Sequence, residues 1–431
     1  MKFGGTSVGD AKAMRLVLKI VEKHADRQPL VVLSACAGMT NNLLKLAQLS
    51  AEAKKTDADE LLLKIYTHHK TVCEELIEDE VFKNSALQKV ENLYLALKQY
   101  SEGLALLKEC TPRSLDTAAS FGERLSTEIF TQAALAKGIS AEWLDARKVM
   151  RTDSNFTSAE FDMPEVEVLS KEHITPQLLK GKVVITQGFI GATAKGITTT
   201  LGRGGSDLSA AIYGAALDAE EIQIWTDVSG VFSADPRKVP NAHVIPQMSY
   251  LEARDLSFYG AKVLHPDTVR PAIDKNIPVR VLNTFDSEHP GTAIVSEPDP
   301  NDFGISAVTL KENCSLYRCN TGESASRIPR DEREKIYAQL RSEGAYLMVL
   351  DASLSKYFPA ENQTAASLLC ASGPNLLKPR SADVIQKAFS AISQHDPLAF
   401  MFGTSAVSLL AVLKPENGQA AMSEVHKLTE E

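Results

Sequence analysis

Two rhythms of apolar residues alternate along the first 295 positions of this chain. Short runs rich in valine and isoleucine, each closing near Gly, Ser, Thr or Asp, predict strands over residues 29–35, 182–190, 221–226 and 278–284. Between them the apolar positions recur every three or four residues. Met14, Val17, Leu18 and Val21 share one face of a helix predicted over 10–25. A second helix is predicted over 119–137, stopped by Gly138, and a third over 206–217, entered from a glycine cluster. Residues 43–110 read almost wholly as helix with mixed charges, a helical excursion beside the sheet. Such alternation predicts an α/β domain around a largely parallel sheet.

The pattern breaks at 286–303, where SEHPGT and SEPDPNDFG read as turns. It restarts with a strand over 305–319, a helix over 331–342 and a strand over 346–350. A strand over 367–371, a helix over 382–393, a strand over 405–414 and a last helix follow. Two β/α passes predict a pair of small α+β sandwiches. The domain reading is 1–295, a linker at 296–304, and 305–431. If Lys2 closes a central strand, Met1 alone precedes it, whereas a strand runs about 5–6 residues. That predicts a true start upstream of Met1.

Composition narrows the class. The 431 residues are 44% hydrophobic and 23% charged, as in an ordinary globular protein, with a formal charge of −9. The acidic balance and the lack of a Lys/Arg-rich block argue against nucleic acid as a partner. Anions would be held by a few placed cations and helix N-termini. The sequence shows no signal-like or membrane-length apolar run, which predicts a cytoplasmic protein. Six scattered cysteines, at 36, 73, 110, 314, 319 and 370, form no CxxC pair and read as reduced thiols. Cys314 and Cys319 lack the partners of a metal site.

Ligands of open α/β sheets gather at the carboxyl ends of strands, and four segments stand there. In the first, Gly4 and Gly5 let a phosphate approach backbone amides, the helix entered near Gly9 adds its dipole, and Lys2 adds a point charge. The glycine pair taken alone reads as a tight strand-to-helix turn beside a surface lysine. In the second, Ser34, Gly38, Thr40 and Asn41 follow a strand; they orient a substrate or cap a helix. In the third, Glu123 and Arg203 stand beside glycines on different elements. An amino acid needs an anion for its ammonium and a cationic fork for its carboxylate, though a structural ion pair uses the same residues. Asp207 sits where an N-cap or dipole partner would. In the fourth, Thr226 and Asp227 close a strand before a turn and DPR; Arg237 could reach phosphates while Val231 and Phe232 line an adenine pocket. There is no GxxxxGK[ST] and no protein-kinase HRD.

The order of six segments goes further: KFGGTSV, LSACAGMTN, SFGERLS, GRGGSDLSA, WTDVSGVFSADPR and YGAKVLHP. Over residues 2 to about 295 the chain resembles the aspartate kinases of the amino-acid kinase superfamily. The DV-x-GV…DPR stretch is shared across that superfamily, whereas KFGGTSV, SFGERLS and GRGGSDLSA mark the aspartokinase branch.

The resemblance implies a three-layer α/β/α kinase domain with a mostly parallel sheet and C-terminal ACT-like, ferredoxin-like domains. It implies transfer of the ATP γ-phosphoryl group to the side-chain carboxylate of L-aspartate, with Mg²⁺ on the phosphates and no dedicated protein metal cage. The product opens lysine, threonine and methionine synthesis. Carried over, Lys2, Gly4, Gly5 and Thr6 hold phosphate, Ser34 and Thr40 sit near the reacting carboxylate, and Glu123 takes the ammonium. Arg203 binds the α-carboxylate, Asp207 orders the centre, and Thr226, Asp227, Phe232, Arg237 and Lys262 belong to the nucleotide site. His265 reads as a structural cap.

Two departures stand out. Phe232 replaces the family's usual tyrosine, and 322–333 replaces the glycine-led helix start that flanks the effector pocket. The expectation is an ACT-like pair that joins chains into a homodimer or larger homo-oligomer. The alternatives are glutamate 5-kinase, told apart by its acceptor, and a catalytically dead amino-acid sensor, told apart by ATP binding without turnover.

Overall fold

The computed structural model describes residues 1–261, 266–319, 327–342, 345–401 and 405–430. It forms two compact units. One comprises Met1–Ser229 with Asp267–Pro290, the other Gly230–Pro266 with Gly291–Glu431.

The first unit is built on parallel strands β1 (Lys2–Phe3), β2 (Leu30–Leu33), β3 (Ala141–Leu144), β4 (Val183–Gln187), β5 (Ile222–Thr226) and β6 (Val279–Asn283). Their order is β3-β4-β2-β1-β5-β6. All four predicted strands of this region are present, each within its expected range. Although only two residues long, β1 lies mid-sheet, Lys2 facing Val32 on one side and Ile224 on the other. Phe3 is fully buried and stacks on Trp225 with ring centroids 5.7 Å apart.

Helix α1 (Ala11–Lys23) buries Met14, Val17, Leu18 and Val21, the face its spacing predicts. The excursion consists of α2 (Met39–Ala51), α3 (Lys55–Leu76) and α4 (Glu80–Leu107). Their buried leucines, valines and isoleucines merge with those of α1 and α5 (Pro112–Ala136) in one core on that face of the sheet. Helix α5 begins seven positions before the predicted start. Thr111 caps it through the Ser114 amide and Pro112 stands in its first turn, where a missing N–H costs nothing. It ends as expected, with Gly138 left-handed at φ 80°. The other face carries α6 (Met163–His173) and α7 (Gly205–Ala216).

The second unit contains a parallel pair, 247–249 with 292–295, and helix α8 (Tyr250–Phe258), closed by a Ser249–Glu252 capping box. Its main sheet comprises β7 (Ala307–Cys319), β8 (Ile336–Ser342), β9 (Ala345–Asp351), β10 (Gln363–Ser372), β11 (Ala399–Met401) and β12 (Ser408–Leu413). All pairings are antiparallel, in the order β8-β9-β7-β10-β12-β11. Helices α9 (Ala382–Ser393) and α10 (Pro415–His426) complete it. Here two expectations are corrected. The predicted helix at 331–342 is a short 3-10 turn (Arg330–Lys335) followed by strand β8. Pairing with β9 buries Tyr337 and Ala338, and this tertiary gain outweighs the local helical pattern. The two β/α passes do not form separate sandwiches, because β7 pairs with β10 and unites both in one sheet.

Candidate active site

In the first unit, the carboxyl ends of β1, β2, β4 and β5 bring most of the predicted residues together. Lys2 is nearly buried, and its Nζ lies 2.6 Å from Asp207 Oδ1 on the first turn of α7. The glycine pair turns directly after it. The Gly4 amide donates to the Trp225 carbonyl at 3.2 Å, and the Ser7 amide returns to the Gly4 carbonyl at 3.0 Å. The loop after β2 runs alongside: Ser34 N–H donates to the Phe3 carbonyl and Ala37 N–H to the Gly5 carbonyl, both at 3.1 Å. A Cβ on Gly5 would stand 3.0 Å from the Ala35 carbonyl, so the two loops approach this closely only with glycine there. Thr6 is exposed, while Ser34 and Thr40 are half-buried, Thr40 in the first turn of α2.

The helix N-termini differ from the expectation. Helix α1 is capped by its own Asp10, whose carboxylate accepts from Ala13 N–H at 2.8 Å. An acid already occupies that end, so it offers little to a phosphate. Helices α2 and α7 start instead from left-handed glycines, Gly38 and Gly204, with no side-chain cap. Their first amides therefore have no side-chain acceptor of their own.

Glu123 reaches the site from α5. Its Oε1 accepts the Ala35 amide at 3.2 Å, and its Oε2 is buried without a partner. Burial pushes this carboxyl up to about 7, against partial relief from backbone hydrogen bonds. Two neighbours fix its height. A Cβ on Gly122 would stand 2.7 Å from Ala35 Cβ, and Ser126 Oγ donates to the Ser34 carbonyl at 2.8 Å. The orphan oxygen is thus held below the loop that carries Ser34.

Arg203 is exposed on the turn that enters α7, one helical turn before Asp207. Thr226 is half-buried at the end of β5, its hydroxyl donating to Asp227 Oδ1 at 3.2 Å, and Asp227 is exposed. Phe232 and Arg237 belong to the second unit. Phe232 bridges to Val244. Arg237 is largely exposed and forks onto Asp235, with Nε 2.9 Å from Oδ1 and Nη2 2.7 Å from Oδ2. That hydrogen-bonded fork holds the Asp235 carboxyl below its ordinary range. Lys262 and His265 lie outside the described residues.

Sequence reasoning missed two residues. Phe189 follows β4 with φ 66°, a conformation costly for a bulky side chain. Ser209 Oγ accepts its amide at 2.9 Å, and a Cβ on Gly205 would come within 2.7 Å of its ring. The available signal was QGFIG, an aromatic between glycines at a strand end. The second is Asp116, buried in α5 two turns before Glu123. It accepts from the Thr157 amide at 3.0 Å, the Thr200 amide at 3.0 Å and the Thr200 hydroxyl at 2.7 Å, and burial raises its carboxyl. Its signal was a lone acid in the otherwise small and apolar stretch after 114. A cavity of about 210 Å³ lies elsewhere, at the amino ends of β2 and β5 among Arg27, Tyr213 and Glu221, away from all these groups.

The model of the amino acid kinase family matches residues 1–283.

The chain belongs to the amino acid kinase family.

Within that family its relatives are aspartokinases. The chain is 38% identical to lysine-sensitive aspartokinase 3 of Escherichia coli over 315 residues, 73% of this chain and 68% of that protein. It is 35% identical to the chloroplastic aspartokinase 2 of Arabidopsis thaliana over 73% of this chain but 58% of that one. The match therefore spans little more than half the length of the plant relative. Among solved structures, E. coli aspartokinase III with aspartate and ADP, in its R-state, superposes over 100% of this chain and 99% of its own, with TM-score 0.80 and 30% identity. The same enzyme with lysine and aspartate, in its T-state, gives TM-score 0.83 and 31% identity over the same shares. No helix among the described residues is long and apolar enough to cross a membrane.

Proposed function

We propose that this chain transfers the γ-phosphoryl group of ATP to the side-chain carboxylate of L-aspartate, giving 4-phospho-L-aspartate. The observation that carries the reading is the 2.6 Å contact between Lys2 and Asp207. It joins the amino-terminal glycine loop to the turn bearing Arg203, two segments that the sequence separates by two hundred positions.

An aspartate carboxylate is already ionised at neutral pH, so the reaction needs alignment and charge neutralisation more than a base. Lys2 supplies the cation for the transferred phosphoryl oxygens, and Asp207 fixes its Nζ between turnovers. Gly4, its amide given to Trp225, holds the turn, while Gly5 and Thr6 present backbone to the phosphates. The amides opening α2 and α7, near Thr40 and Arg203, favour anionic oxygens. Arg203 takes the α-carboxylate as a planar fork. Glu123 Oε2, buried and unpartnered, receives the ammonium; that cation draws the carboxyl into its charged form. Ser34 orients the reacting carboxylate. Thr226, Asp227, Phe232 and Arg237 serve the nucleotide.

Asp207 and Asp227 would be the carboxylates to hold a Mg²⁺ ion brought with the nucleotide, since Mg²⁺ takes one or two carboxylates beside phosphates and water. Such an ion would supply charge neutralisation for the phosphates. Self-association is assigned to the second unit, whose sheet has open edges at β8 and β11. Cytosolic residence belongs to the same proposal. An ATP-dependent hydroxamate assay tests the reading. L-aspartate should give product with Mg²⁺, whereas product from L-glutamate alone would transfer the assignment to a glutamate 5-kinase. Binding of ATP with no turnover of either acid would make the chain a sensor.

A further inference from the structure

We infer that His426, the last residue of α10, is a positioning residue for the nucleotide loop 232–238, acting through the hydroxyl of Ser233. The inference rests on the nucleotide role proposed above for Phe232 and Arg237. Ser233 is completely buried, and its Oγ lies 2.8 Å from His426 Nε2 and 3.2 Å from His243 Nδ1. The same oxygen accepts the His243 backbone amide at 3.0 Å. A hydroxyl has one proton and two lone pairs. With one lone pair taken by the amide, the proton goes to one imidazole nitrogen and the last lone pair receives an N–H from the other. All three positions are then used, and the side chain of Ser233 has one orientation. Burial, then the neighbouring His243, lowers the pKa of His426 while Glu430 opposes them, which keeps a bare ring nitrogen available as acceptor.

The loop is tied to the C-terminal helix at its other end as well. Gln419 Nε2, also on α10, donates to the Lys238 carbonyl at 3.0 Å, and Lys238 Nζ lies 2.8 Å from Glu312 Oε2 on β7. Between these ties Ala234 and Val239 are buried with Ala421, Met422 and Val425 of α10. What projects from so fixed a base is Phe232, half-buried, and Arg237, exposed. The C-terminal helix therefore sets how the loop presents its nucleotide-facing groups, and a shift of α10 would be read out as a change in nucleotide affinity. Nothing in these contacts touches the groups assigned to aspartate.

The test is a double-mutant cycle read by steady-state kinetics on the full chain. His426→Leu should raise KM for ATP about five- to tenfold, the worth of one buried hydrogen bond, and leave kcat and KM for aspartate within about twofold. His426→Gln, which returns an amide to the place of Nε2, should recover most of the loss. Ser233→Ala, the mildest change, should raise KM for ATP by a similar factor, and the double variant should be no worse than either single one. Unchanged KM for ATP in Ser233→Ala overturns the inference even if His426→Leu does not fold. Multiplying effects, or equal losses for both substrates, also overturn it. Arg237→Ala separates the two levels. If it raises KM for ATP while Ser233→Ala and His426→Leu do not, only this inference fails. If it leaves KM for ATP unchanged, the nucleotide reading of the loop falls first.

Discussion

Glu123 owes its chemistry to its surroundings more than to its type. An exposed glutamate is fully charged at neutral pH, but burial holds this one near 7. In the role proposed for it, Glu123 meets the ammonium of aspartate in its charged form, so kcat/KM for aspartate should fall about tenfold per pH unit below 7, and Glu123→Gln should flatten that limb of the profile at a lower level. The same residue gives a stability test. The unfolded chain releases this proton near the ordinary value of 4.5, whereas the folded chain keeps it to about 7. Over that window the folded state binds more protons, so its contribution to stability falls as pH rises from 4.5 to 7 and stays low above. Glu123→Gln should therefore melt higher than the parent at pH 8 and close to it at pH 4.5, as calorimetry would record. Lys2 supports a simpler expectation. Lys2→Ala should reduce kcat by about 10²- to 10³-fold with an unchanged circular dichroism spectrum; near-normal turnover would remove Lys2 from the phosphoryl site.

At the level of elements, α5 acts as the beam that sets both acids. Asp116 and Glu123 are two turns apart, one gripping Thr157 and Thr200, the other reaching Ala35. Gly122→Ala would place a methyl 2.7 Å from Ala35 Cβ and 3.2 Å from Leu43 Cδ1. We expect a stability loss of about 1–3 kcal/mol by denaturant titration, with KM for aspartate rising as Glu123 is pushed away from its loop. Asp116→Ala should raise KM for aspartate with little effect on kcat, since the Thr157 and Thr200 segments beside the turn at 202 lose their common acceptor. The core face of α1, the stop at Gly138 and the strands of the first sheet were readable because each is a local pattern of spacing or backbone preference. The early start of α5 was readable too, in Thr111 and Pro112, though the apolar spacing drew attention downstream. Residues 331–342 were not readable, because the charged run at 330–335 carries a helical signal into Ile336–Ser342, which pairing with β9 makes a strand.

For the molecule as a whole, the chain folds as two compact units. The first contains the glycine loop, Glu123 and Arg203, the second the DPR loop and the antiparallel sheet. Size-exclusion chromatography with light scattering should return at least twice the mass of one chain, and charged substitutions along the edge strand β8 should reduce it. The ordered motifs identify the family by themselves, because each is a short stretch whose chemistry depends on its own residues. The tertiary structure alone decided three things: that Asp207 is the partner of Lys2, that the helix starts near the site without a side-chain cap are those of α2 and α7 and not of α1, and that Ser233 is held from the C-terminal helix. Each of these joins positions far apart in the chain. The energy of such a contact depends on distance and burial in the folded state, and neither quantity is written in the order of residues.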